Sequence, residues 1–296
     1  MGQIDLEAKT YVVGDVQVTK IVEQVGAGFH AHMLFPDWDP AVLGQNHDLR
    51  LPDIFIEAEG RFISSIHTWV IRTRRHVILI DTCAGNHKHR PHLPRLHRLQ
   101  LPYLERLAVA GVHPEQVDFV LCTHLHADHC GWNTRLVDGR WVPTFPNARY
   151  IFSKAELDFW TTQAGVEGFN EGVYEDSVLP VVATGQVETI DGAGAVGEGL
   201  FLEPTPGHSV GHVALRLESL GQEALFSGDV MHQPVQVLRP DWNSCFCEDP
   251  ELARRSRRWL LEQAAERGAT VFTAHFAATS AGRVNRRNDT FAWTFT

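Results

Sequence analysis

Three imidazoles and a carboxylate fall within the stretch His124-Leu125-His126-Ala127-Asp128-His129. Imidazole and carboxylate ligate divalent cations, and they are also side chains that move protons near neutral pH. The run before them, Val117-Asp118-Phe119-Val120-Leu121-Cys122, is β-branched and aromatic. It reads as a buried strand with the cluster leaving its C-terminal end, which is where open α/β folds bind ligands. In extended chain, residues i and i+2 point the same way, so His124 and His126 can grip one ion. Asp128 and His129, after a turn, can face a second. A histidine-rich surface turn would hold the same residues, so the decision rests on whether the chain supplies further ligands.

It does, with the same placement. His208 follows the short apolar run Gly199 to Glu203 through Thr205-Pro206-Gly207, Asp229 follows Ala224 to Ser227, and His275 follows Ala269 to Thr273. Each alone reads as a core or surface residue, but three at equivalent strand ends read as one ligand set. A set of imidazole and carboxylate without thiolate suits zinc, with manganese, iron or cobalt also accepted. Two such ions about 3.5 to 4 Å apart share a water and lower its pKa towards neutrality, which generates hydroxide at neutral pH.

Thr123-His124-Leu125-His126-Ala127-Asp128-His129, with Thr205-Pro206-Gly207-His208, Ser227-Gly228-Asp229 and Ala274-His275, resembles the motif set of the metallo-β-lactamase superfamily. The resemblance implies an α/β fold, a four-layer αββα sandwich, with two divalent metal ions. It implies that His124, His126 and His208 hold one ion, Asp128, His129 and His275 the other, and that Asp229 bridges them. Asp81 matches the structural aspartate near the site. The implied activity is hydrolysis of a small apolar lactone or ester by a metal-bridging hydroxide, as in the lactonase and small-molecule hydrolase branch. That branch often carries Tyr three residues after the bridging aspartate, whereas this chain has His232. His232 is thus a candidate to hydrogen-bond the substrate or protonate a leaving group, beside Asp128 as the group that orients hydroxide or shuttles a proton.

Trp132, Trp242, Phe246, Phe29 and Met33 are candidates for an apolar substrate wall. An aromatic wall beside a metal hydroxide also fits a hydrolytic dehalogenase of chlorinated aromatics or a phosphotriesterase, and a metal-stabilised binding protein without turnover is the alternative of another class. Redox chemistry is disfavoured because His126 stands where diiron relatives carry an acidic residue.

At 296 residues the chain can bury one sizeable core. It is read as a single domain, 1–296, with a loop-rich insertion at about 26–60. Lys plus Arg number 26 against 36 Asp plus Glu, a net charge of -10 that argues against a phosphate-tracking surface and so against nucleic acid. The partner expected is a small molecule, and a homodimer is compatible with the chain. Met1 to Thr10 has no apolar core of signal-peptide length and no run approaches a membrane span, so a cytoplasmic location is expected. Five cysteines, an odd number, read as reduced thiols, with Cys245-Phe246-Cys247 only weakly suggesting a soft metal clip.

The elements that must position these groups follow from periodicity and caps. Strands are expected at 11–25, Phe62 to Arg72, His76 to Ile80, Trp141 to Phe152, His212 to Leu217 and Ala269 to Thr273, the last of the chain. Helices are expected at Pro102 to Ala110, from a Ser153-to-Glu156 capping box through Trp160, and after Asp249-Pro250 as far as Gly268. Asn86 to Arg98, with His87, His89, His92 and His97, reads as a solvated basic loop, and 165–180 as irregular.

Overall fold

The computed structural model describes residues 8–44, 47–51, 53–165 and 167–296. Most of the stretch read for a leader, residues 1–7, lies outside them, as do positions 45, 46 and 52 of the 26–60 segment. The chain forms two compact units, one of residues 1–24 and 66–194, the other of 25–65 and 195–296. The strands Val16–His30 and Arg61–Arg72 contribute residues to both.

In the first unit the strands Val77–Ile80, Phe119–Leu121, Arg149–Ser153 and Val187–Ile190 lie side by side and parallel. Parallel strands covered on both faces need continuous apolar runs, and Val77-Ile78-Leu79-Ile80 is one. The register pairs Ile80 with Leu121 and Leu121 with Ile151, so the residues after each strand emerge at one end of the sheet. Asp81 and the 123–129 cluster are brought together by that register. The core beneath holds Leu79, Val120, Tyr150 and Phe152 with Leu107 and Trp160 from the helices Tyr103–Val109 and Lys154–Thr162.

The second unit has a seven-stranded sheet. Its strand Gln222–Phe226 runs parallel to Thr270–Phe272, with Phe226 opposite Phe272, so Asp229 and His275 leave the same end. The crossover between them is the helix Pro250–Arg267. Asp249 caps it by accepting from the amides of Glu251 (3.0 Å) and Leu252 (2.9 Å), and Gly268 ends it at φ 59 in the left-handed region. Leu260, Leu261 and Ala264 face the core with Val271, Phe276 and Trp293.

Several expectations change. The 11–25 strand is a hairpin, Lys9–Val13 with Val16–His30, because Gly14 turns the chain at φ 61. The 141–152 run breaks into Arg140–Pro143 and Arg149–Ser153, and 165–180 contains the helical turns Tyr174–Val178 and Leu179–Ala183. The chain does not end its strands at Thr273: Ala281–Arg287 and Thr290–Phe295 follow as an antiparallel pair. In the 26–60 segment, Ala31, Leu34, Phe35, Val42 and Phe55 form a core with Phe62, Val235 and Leu238.

The largest correction lies within 86–98, read as a solvated basic loop: His87, His89, His92 and Arg98 are exposed as expected, but two of its cations are not. Lys88 and Arg90 are buried, and Arg90 donates two hydrogen bonds to Asp176 (2.7 and 2.8 Å) while Lys88 Nζ donates to Thr134 Oγ1 (2.6 Å) and the Asp176 carbonyl (2.9 Å). Burial lowers the Lys88 amine to about 8 although Asp176 opposes the shift. Among the described residues no helix is long and apolar enough to cross a membrane.

Candidate metal centre

In the first unit the three histidines of the cluster are nearly fully buried, and their rings crowd together. The His124 centroid lies 4.0 Å from that of His129 and 4.4 Å from that of His126. The outer nitrogens of two of them are held by protein. His129 Nδ1 is 2.9 Å from Asp81 Oδ2, and His124 Nδ1 is 3.1 Å from Thr123 Oγ1. Asp81 also accepts from the Thr123 amide (2.7 Å) and hydroxyl, and sits at φ 56, a left-handed position that Asp tolerates better than most residues. Holding one ring nitrogen with a carboxylate or hydroxyl fixes tautomer and orientation, the arrangement metal-ligating histidines use. Asp128 Oδ1 stands 3.7 Å from His129 Nε2.

The backbone of this loop is pinned as firmly. Leu125, between two of the histidines, donates its amide to Glu156 Oε1 (3.0 Å) and accepts from Asn170 Nδ2 at its carbonyl (3.0 Å). Glu156 is therefore not used as a capping box. Ser153 makes no side-chain cap, and the buried Glu156 carboxylate instead takes the Leu125 amide and Trp160 Nε1 (2.7 Å). A second carboxylate, Glu23, accepts from the amides of Ala84 and Gly85 (both 3.0 Å) and from Trp132 Nε1 (2.7 Å). Burial raises Glu23 to about 7 against the pull of those donors. It joins the loop after Asp81 to the turn after His129, where Gly131 packs so closely that a Cβ would come within 1.9 Å of the Ala84 carbonyl oxygen. Trp132, expected as a substrate wall, is a core ring stacked on Tyr103 (centroids 5.2 Å).

In the second unit three histidines surround the Asp229 carboxylate on the turn Gly228–Val230. His208 Nε2 lies 3.3 Å from Oδ2, His232 Nε2 3.2 Å from Oδ2, and His275 Nε2 3.0 Å from Oδ1. His275 Nδ1 meets the Ser65 carbonyl at 3.0 Å, again an outer nitrogen held by protein. The Asp229 amide donates to His212 Nε2 (2.9 Å), whose Nδ1 contacts Thr205 Oγ1 (2.8 Å). Sequence reading passed over His212, Glu23 and Glu156. His212 had a signal, standing four residues after His208, while Glu23 lies too far along the chain from the motifs to be linked to them. Burial pushes the His232 imidazole below its usual range, against the pull of Asp229.

The proposed wall residues divide. Phe246 lies beside His232 (centroids 6.4 Å) and against Phe29 (5.2 Å), and Trp242 packs on Trp38 (5.8 Å). Met33 is half exposed. Cys245 and Cys247 are free thiols.

The donor set fits divalent cations on the structure's own terms. Buried imidazoles in van der Waals contact with one another and beside a buried carboxylate, with His124, His129 and His275 oriented through their outer nitrogens, are a metal-ligating arrangement. These clusters at the ends of the strands define an α/β metalloprotein. The superfamily pattern described as metallo-β-lactamase matches residues 63–275, and the chain belongs to that superfamily. Its fold class is therefore the one expected from the motifs. An N-acyl homoserine lactonase of Bacillus cereus is 29% identical over 109 residues, 37% of this chain; the match spans only 36% of that relative's own length. A solved hydrolase, AbOPH of the beta lactamase superfamily, superposes with a TM-score of 0.81 at 26% identity and 99% coverage of both chains. AidC, described as a dizinc quorum-quenching lactonase bound to its product N-hexanoyl-L-homoserine, gives 0.77 at 20% identity, covering 98% of this chain and 97% of its own. These relatives and neighbours are hydrolases.

Proposed function

We propose that the protein is a dinuclear metal-dependent hydrolase of a small, apolar lactone or ester. The observation that carries this reading is that each unit presents buried histidines beside a carboxylate, with outer nitrogens held by Asp81, Thr123 and the Ser65 carbonyl. The ligands proposed are His124, His126 and His208 for one cation, Asp128, His129 and His275 for the other, and Asp229 for both. The reading treats residues 1–296 as one functional domain. Zinc suits the donors best, with manganese, iron and cobalt as alternatives. When bound, such a pair supplies a water acidified towards neutral pH and Lewis acidity for the substrate's oxygen.

The chain's own residues do the rest. Asp128 is the more exposed of the two ligand carboxylates, so it can orient the nucleophile and carry a proton to the leaving group. His232, at the position where the lactonase branch carries Tyr, is the second candidate for that task. Phe246 beside His232, with Phe29 packed against it, supplies aromatic surface to exclude water from an apolar acyl or alkyl group, and Trp242, packed on Trp38, is a further wall candidate. The lactonase names of the relative and of AidC support a lactone as the first substrate to try.

A panel of N-acyl homoserine lactones, aryl esters, phosphotriesters and chlorinated aromatics, assayed with and without zinc or manganese, tests this. Ring opening of lactones or cleavage of esters that disappears on chelation is the expected outcome. Turnover of none of the panel by metal-loaded protein would overturn the hydrolase reading.

A further inference from the structure

His232 stands outside the seven-residue ligand set proposed above, yet the structure places it among ligands. One ligand atom from each of His208, Asp229 and His232 lies within 4.8 Å of the other two, and all three residues are buried. The rings of His208 and His232 are 4.9 Å apart, and His232 Nε2 approaches the same Asp229 oxygen as His208 Nε2 does, at 3.2 against 3.3 Å. His232 is 6% exposed; its Nε2 faces Asp229 Oδ2 at 3.2 Å without good hydrogen-bond alignment, and its Nδ1 has no hydrogen-bond partner among the described residues. Buried polar atoms are nearly always paired, so a buried imidazole turned to a carboxylate without a hydrogen bond points to another partner. The position is built. The His232 amide donates to Gln236 Oε1 (2.6 Å), and Gln236 Nε2 donates to the Trp242 carbonyl (3.0 Å), which fixes the turn after Asp229.

We propose that His232 is an eighth metal ligand, completing with His208 and Asp229 a three-donor cradle for one cation within a single unit of the fold. This rests on the dinuclear reading given above. The cation held by His208 gains one imidazole and a higher coordination number. The proton-moving role then falls to Asp128 alone.

The test uses the full chain loaded with cobalt(II), whose visible bands report coordination number. In His232→Gln the bands should strengthen and shift, and competition with a chelator should show at least a ~10-fold loss of affinity at one of the two sites. X-ray absorption on the unaltered zinc protein is the second measurement and needs no variant to fold. It should count one more imidazole per chain than the seven-residue set provides. If His208→Ala disturbs cobalt binding while His232→Gln leaves bands and affinity unchanged, or if the imidazole count matches the smaller set, His232 is not a ligand and the metal reading stands. If the unaltered chain takes up no cobalt or zinc, the dinuclear reading fails and this inference with it.

Discussion

At the scale of single residues, the groups that touch a proposed ligand matter as much as the ligands. Glu156 holds the Leu125 amide between His124 and His126, and Asp81 holds the His129 ring. Removing such partners in metal sites costs ~10- to 100-fold in affinity, because the ligand then samples orientations that do not bind. Glu156→Ala and Asp81→Asn are therefore expected to weaken metal binding by that order in a chelator competition while circular dichroism stays native. Affinity equal to the unaltered protein in both would show that the loop is positioned by something else. The candidate donors were legible in the sequence because His-x-His-x-Asp-His states its own spacing. The role of Glu156 was not, since Ser153 to Glu156 satisfies a helix-capping pattern and only tertiary packing reveals the carboxylate turned inward.

At the scale of elements, apolar periodicity and helix caps were readable while buried charge was not. Pro250–Arg267 begins and ends as its Asp249 and Gly268 require, and the strands leading to Asp81, Asp229 and His275 lie close to where β-branched runs put them. Within 86–98, Lys88 and Arg90 mislead because Lys and Arg read as solvent-facing, and their counter-ion, Asp176, is distant in sequence. Two cations buried on one carboxylate make that segment sensitive to a single change. Asp176→Ala leaves Lys88 and Arg90 without it and is expected to destabilise the fold by roughly 3–5 kcal/mol, read from denaturant midpoints. A loss under about 1 kcal/mol would mean that the two cations find water or other partners, as surface charges do.

At the scale of the whole molecule, pH acts through buried groups. Glu23 is raised to about 7 in the fold from an ordinary 4.5, so the folded state holds a proton that the unfolded chain has lost between those values. Stability from this group is full below about pH 4.5 and falls as pH rises to about 7, by at most about 3 kcal/mol. Lys20, lowered by burial to about 7 from 10.5, acts in the opposite sense, and its share of stability grows from pH 7 upward. Together the two groups place a trough near neutral pH. Glu23→Gln should flatten the arm between pH 5 and 7, and an unchanged slope there would remove Glu23 from the account. The most direct test of the metal-dependent hydrolase is to strip the protein, titrate zinc back and follow turnover of the best substrate from the panel. Activity should be absent in the stripped protein and saturate near two equivalents per chain. Full turnover without metal would contradict the account.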